Sequence, residues 1–174
     1  MTVFKMCKFV FGGVVAFMAL LASAAPQDLT PHEVGVVYYA DGSNFKALEK
    51  EAAPASGRSI ISAKIKGAHA AIRVATGQAQ NFRLCSVDPM RYKLYTLRST
   101  KNSREVTIST VNIMIGGFKS KLSESEIPTT IQATDNGCFS ITAKQQLKEG
   151  EYGWSPTGEE YAFTFGVGEV KRPK

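Results

Sequence analysis

Imidazoles, thiols and helical periodicity are what this chain has least of, and each shortage closes a class of function. Its 174 residues include only two histidines, His32 and His69, 37 positions apart and without a neighbouring ligand or base. Both therefore read as surface residues rather than catalytic ones. The sequence holds no Gly-x-Ser-x-Gly elbow, no His-Glu-x-x-His, no Cys-x-x-Cys and no phosphate-cradling glycine loop. Asp135-Asn136-Gly137 lacks the further acids of a calcium loop. The expectation is a protein that is not an enzyme, with no catalytic residues, no cofactor and no metal. No stretch keeps a helical period for three turns, and no repeat or low-complexity block occurs. A helical bundle and a repeat array are excluded by that.

Long apolar runs are also scarce, and the most pronounced, Phe9 to Leu21, sits behind Lys5 and Lys8 and ahead of Ala22-Ser23-Ala24. Positive start, apolar centre and small-residue end are the three parts of a cleavable secretory signal. Cys7 precedes the run, whereas a lipid-modified cysteine would follow it. An uncleaved anchor is the rival reading, but Phe9 to Ala25 reaches only 17 residues, the short limit of a span of about 17–25. Residues 1–24 are thus expected to be a signal peptide and residues 25–174 one domain, periplasmic or secreted, with no stable membrane insertion after cleavage. The remaining 150 residues suffice for a single core.

Charge is unevenly spread. Residues 58–121 hold twelve Lys and Arg against Asp88 and Glu105, while residues 25–57 and 122–174 each carry a net charge of −3. Such a polarity invites an acidic partner, and alternating strands that point half their residues at water explain it equally. Two cysteines follow the apolar run, Cys85 and Cys138. Export permits a disulfide between them; two separate buried thiols are the alternative, and the spacing does not choose.

Short alternating runs bounded by turn residues fill the rest. Glu33 to Ala40, nearly all apolar, is followed by Asp41-Gly42-Ser43-Asn44 and Phe45 to Leu48. Ile61, Ala63 and Ile65 alternate with polar residues, and Lys66-Gly67-Ala68-His69 is read as the turn of a hairpin to a strand around Ile72 and Val74. Asp88-Pro89 starts a turn before Arg91 to Leu97, which is expected to pair with Glu105 to Val111 so that Tyr92, Leu94, Val106 and Ile108 point inward. Ile127 to Ala133 and Cys138 to Ala143 flank Asn136-Gly137, which suits positive φ. Tyr152 and Trp154 share one parity and Tyr161, Phe163, Phe165 and Val167 another, giving a closing hairpin around a type I turn at Ser155-Pro156-Thr157-Gly158.

About eleven short strands with turns at this spacing predict an all-β fold, an antiparallel two-sheet Greek-key sandwich in preference to a closed barrel. The preference rests on Leu147-Lys-Glu-Gly150-Glu-Tyr152, a tyrosine just inside a strand after a Gly turn, as in the tyrosine corner of immunoglobulin-like sandwiches. Glu33-Val-Gly-Val-Val-Tyr-Tyr, Ile72-Arg73 with Gly77, Asp88-Pro with Tyr92-Lys-Leu, and Leu147-x-x-Gly150-Glu-Tyr152 with Phe163 are the residues by which the chain resembles small exported bacterial β-sandwich proteins of unassigned function. That resemblance implies export and fold, and no activity.

Candidate contacts with an anion or partner are Arg91, Lys93 and Tyr95, joined by Arg98, Lys101 and Arg104 near the turn. A charge-protected edge strand explains the same residues without a ligand. Glu149 and Glu151, with Glu159 and Glu160 on the partner strand, are the weaker case for a small hydrolase. The functional expectation is a non-catalytic binding or structural module of a bacterial envelope or secretome, with a protein or glycan partner and no nucleic acid. A carbohydrate-binding domain is the alternative, through Tyr39, Tyr95 and Trp154.

Export has a direct check. Mass spectrometry of the protein from its native host is expected to find a chain beginning at or beside Ala25; an intact Met1 terminus in the soluble fraction contradicts the secretory reading.

Overall fold

Alternation decides most of the strands, and kinks decide where they break. The computed structural model describes residues 33–41, 44–57, 60–77, 81–114, 117–122 and 125–169. The segment read as a signal peptide, and His32, lie outside the described residues. Strand β1 (Val37–Asp41) pairs with β2 (Asn44–Ala47), Asp41 standing opposite Asn44. Strands β3 (Glu49–Ala52) and β4 (Ala55–Ser56) are separated by Ala53-Pro54, where proline removes a ladder donor. In β5 (Ile60–Lys66), Ala63 and Ile65 are buried while Lys64 and Lys66 are exposed. Next come β6 (Arg73–Val74) and β7 (Asn81–Cys85).

A 3₁₀ turn at Pro89–Arg91 follows, capped by Asp88, whose side chain accepts from the Met90 N–H at 2.9 Å. It leads into β8 (Tyr92–Ser99), β9 (Ser103–Met114), β10 (Gly117–Leu122) and β11 (Glu126–Ile127). Strands β12 (Thr129–Ala133) and β13 (Cys138–Ala143) are joined through Asn136 and Gly137 at φ 61° and 70°, a left-handed pair that asparagine and glycine tolerate. The chain closes with β14 (Gly150–Pro156) and β15 (Tyr161–Val167). Among the described residues no helix is long and apolar enough to cross a membrane.

These strands make two antiparallel sheets. The first has the order β12-β13-β7-β1-β2 and the second β3-β15-β14-β8-β9-β5-β4, with β10 on β9, β11 on β8, and β6 parallel to β15. Their facing sides form the main core. Val37, Phe82, Leu84 and Ile141 from the first sheet meet Leu94, Trp154, Phe163 and Phe165 from the second. Phe82 reaches between two rings of the closing hairpin, its centroid 5.3 Å from Trp154 and 4.8 Å from Phe165, within the range where tilted aromatic pairs attract. Tyr152 stands opposite Phe165 and Trp154 opposite Phe163. The turn between them runs one residue later than its sequence implies: the Glu159 N–H donates to the Pro156 carbonyl at 3.2 Å, and Gly158 adopts φ 85° at the third position.

Cys85 and Cys138 lie directly opposite each other on β7 and β13, Cα atoms 4.0 Å apart, joined by a disulfide. A closed loop spanning 53 positions removes chain entropy from the unfolded state equivalent to about 4 kcal/mol.

Two pairings differ from the sequence expectation. Strand β5 pairs with β9, and β6 joins β15, so the segment around His69 is a bend between distant partners and not a hairpin turn. Arg98 stands opposite Glu105 and Ser99 opposite Arg104, a register one residue away from the one that puts Tyr92, Leu94, Val106 and Ile108 on one face. A slip of one reverses every side chain. Tyr92 and Leu94 consequently join the main core, while Val106 and Ile108 belong with Leu97 and Tyr95 in a second one.

That second core exists because the second sheet curls. Its order begins with β3 and ends with β4, consecutive in the chain. At the break between them the Ala53 N–H donates to the Glu160 carbonyl at 2.8 Å, beside β15, and the Pro54 carbonyl accepts from the Lys64 N–H at 3.4 Å, on β5. One bent segment thereby bridges the two ends of the sheet, producing a half-barrel behind the sandwich.

Tyr152 anchors the closing hairpin: it is 5% exposed, its ring stacks on Phe165 at 5.5 Å, and its hydroxyl donates to the Lys148 carbonyl at 2.8 Å. In urea denaturation, Tyr152→Phe is expected to lose about 1 kcal/mol with the hydrogen bond, and Tyr152→Ala roughly 3–5 kcal/mol with the ring. Both variants unfolding at the wild-type midpoint contradicts this role.

Candidate functional site

The site follows from the same alternation that builds the core. With Tyr152 and Trp154 turned to the sandwich, Glu151, Gly153 and Ser155 of β14 face the other way, as do Ala162, Thr164 and Gly166 of β15. The curl brings this second face opposite Ala63 and Ile65 of β5 and Arg104 and Val106 of β9. Two zones result, one ionic and one apolar.

In the ionic zone Arg104 is 1% exposed and holds four partners. Nε donates to the Gly67 carbonyl at 3.0 Å and Nη1 to the Thr164 hydroxyl at 2.8 Å. Nη2 reaches both Glu51 carboxylate oxygens, at 2.7 and 2.8 Å, and the Lys66 carbonyl at 3.1 Å. The Thr164 hydroxyl in turn donates to Glu51. A buried charge needs such complete pairing. A second pair joins β14 to β6: Glu151, 4% exposed, binds the Arg73 guanidinium, accepts from the Ala70 N–H at 2.9 Å and lies 3.1 Å from His69 Nδ1. Arg73 also donates to the carbonyls of Gly168 at 2.9 Å and Val167 at 3.1 Å. Glycine at position 166 lets the Arg73 guanidinium lie against the backbone; a Cβ there would displace it from its place beside Glu151.

The apolar zone is a pouch of about 110 Å³ at the other end of the interior. Small residues from three strands and the break between β3 and β4, Ala63, Gly153, Ala162 and Ala53, leave the space. Ile65, Leu97, Val106 and Ile108 wall it, and Tyr95, Ser155, Thr157 and Glu159 stand around its mouth. Strand β8 meets β9 only near Arg98 and Ser99, then takes β11 as its neighbour at Leu94 and Tyr95. The divergence of β8 from β9 keeps the pouch open.

Most polar groups at the mouth are already engaged. Ser155 Oγ donates to the Tyr161 carbonyl at 3.0 Å, Thr157 Oγ1 to the Arg91 carbonyl at 3.0 Å, and Glu159 pairs with Arg91 at 3.5 Å. The Tyr95 hydroxyl has no hydrogen-bond partner among the described residues. Burial, and then the nearby Glu126 carboxylate, push its pKa above the usual phenol value, so at neutral pH it remains a donor.

The six candidate contacts are not gathered on one surface. Arg91 lies in the 3₁₀ turn bound to Glu159, Lys93 is 3.8 Å from Glu126, and Arg98, on the opposite face of β8, pairs with Glu105 at 3.1 Å. Lys101 is exposed in the turn between β8 and β9. Arg104 is no surface contact, being almost wholly buried, and Tyr95 turns toward the pouch. The charge asymmetry has an internal explanation: Arg73, Arg91, Lys93 and Arg104 of the basic middle pair with Glu151, Glu159, Glu126 and Glu51 of the acidic flanks. Of the aromatics proposed to stack on a sugar, Tyr39 is 6% and Trp154 0% exposed, so neither offers a face to solvent. His69 is exposed, as expected, and its Nδ1 also lies 3.1 Å from the buried Glu151 carboxylate.

Sequence reasoning missed the pouch, although Gly153 between Tyr152 and Trp154, and Ala162 between Tyr161 and Phe163, carried a signal. Small residues interleaved with core aromatics mark a strand whose second face is also covered. Comparison with family models, with curated proteins and with solved structures returns no match.

Proposed function

We propose that this protein is an exported, non-catalytic binding module of a bacterial envelope or secretome, and that it takes an apolar group of its ligand into the half-barrel pouch. The observation that carries the reading is the pouch itself. A space of about 110 Å³ lined by apolar side chains forgoes packing worth on the order of 2 kcal/mol. An occupant that removes the lining from water restores that contact, which is a driving force for binding. Its size suits a ring or a branched side chain, since a cavity of about 150 Å³ takes benzene.

The fold and the charges support the same reading. In it, the first sheet with β8, β14 and β15 is an immunoglobulin-like Greek-key sandwich bearing the Tyr152 corner, and the half-barrel is an elaboration of one sheet. The Cys85–Cys138 disulfide suits the oxidising compartment that export implies. Of the four acids weighed for a hydrolase, Glu151 is held by Arg73 and Glu159 by Arg91, which suits a framework role for those two.

Benzene titration followed by methyl NMR tests the pouch. The methyl signals of Leu97, Val106 and Ile108 are expected to shift saturably, and Ala63→Leu, which fills the space, is expected to abolish the shifts while Trp154 keeps its buried, blue-shifted fluorescence. Absence of saturable shifts in the wild type, or identical shifts in a folded Ala63→Leu variant, contradicts the reading.

A further inference from the structure

We infer that the pouch is selective for a neutral ring bearing one hydroxyl group, a phenol-like ligand whose oxygen is met by the hydroxyl of Tyr95. The inference rests on the pouch being a binding site and adds the chemistry of what enters it. Three observations fix that chemistry. The volume of about 110 Å³ is on the scale of a single ring, benzene being taken by an apolar cavity of about 150 Å³. The enclosing walls, Ile65, Leu97, Val106 and Ile108 with Ala63 and Ala162, are apolar, so the body of the ligand must be apolar too.

The mouth then sets the polar part. Ser155 and Thr157 spend their hydroxyl hydrogens on the carbonyls of Tyr161 and Arg91. Tyr95 is part of the lining, and its hydroxyl has no hydrogen-bond partner among the described residues. A single unanswered group that both donates and accepts is matched by a ligand carrying a single hydroxyl. Charge is disfavoured on both sides. Among the lining residues only Glu159 is charged, and it is already paired with Arg91 at 3.5 Å, so neither sign of ligand finds an uncompensated partner there. A carboxylate entering would be desolvated without one.

The experiment compares benzene, phenol and benzoate on the wild type and on Tyr95→Phe by ligand-observed NMR. The ratio of phenol to benzene affinity is expected to be about fivefold higher in the wild type than in Tyr95→Phe, the value of one net hydrogen bond. Benzoate is expected to bind the wild type at least tenfold more weakly than phenol. An unchanged ratio, or benzoate binding as well as phenol, overturns the inference while leaving the pouch reading intact; failure of benzene itself to bind overturns the pouch reading. If Tyr95→Phe does not fold, the wild-type order of phenol over benzoate still decides. p-Cresol and a capped Gly-Tyr-Gly peptide identify the source of the ring: tighter peptide binding assigns it to a polypeptide, weaker binding to a free small molecule, and both support the hydroxylated ring.

Discussion

Arg104 is a full positive charge removed from water, and the half-barrel is the shape the chain takes to satisfy it. A guanidinium presents its donors in a fixed planar fork, so its acceptors have to come from fixed directions. Here they come from Glu51 on β3, Thr164 on β15 and the carbonyls of Lys66 and Gly67 at the end of β5. Strands from the two ends of the second sheet are thereby drawn to one point. Only a curled sheet does this. The break at Ala53-Pro54 lets a single segment follow the curl from β15 across to β5, where a continuous straight strand would stay with one neighbour.

Curling has a consequence for the strands that lie between sandwich and half-barrel. Strand β15 is buried on both faces, with Phe163, Phe165 and Val167 in the main core and Ala162, Thr164 and Gly166 in the second interior. Large side chains fill one face and small ones the other, because the second interior must also house two arginines and their carboxylates. Where the ionic zone ends, small residues remain without a large neighbour opposite, and the pouch is what is left. The pouch and the buried ion pairs are thus two outcomes of one closure.

How far the sequence discloses this depends on the range of the forces involved. The closing hairpin, the Tyr152–Lys148 hydrogen bond and the Asn136-Gly137 turn are local, governed by parity and by φ, and each is legible in a few residues. The register of β8 on β9 is not, because Arg91 to Leu97 carries apolar residues at both parities, Tyr92 and Leu94 on one and Tyr95 and Leu97 on the other. Either face satisfies a core when two cores exist. Arg104 is illegible for a related reason: a basic residue beside a turn is ordinarily wet, and its partners lie 53 and 60 residues away at Glu51 and Thr164. The excess of base in the middle of the chain reads as a surface property, whereas the fold spends much of it on acids from both flanks.

Closure of the half-barrel by the Arg104–Glu51 pair is measurable in a double-mutant cycle followed by urea denaturation. Arg104→Met and Glu51→Gln are each expected to lose about 3–5 kcal/mol, since one leaves the half-buried Glu51 without its cation and the other the buried Arg104 without its anion. The double variant is expected to lose at least 2 kcal/mol less than the sum of the two, the signature of groups that act together. Losses within about 0.5 kcal/mol for each single variant, combining additively, are what a solvated surface pair would give, and would contradict the account.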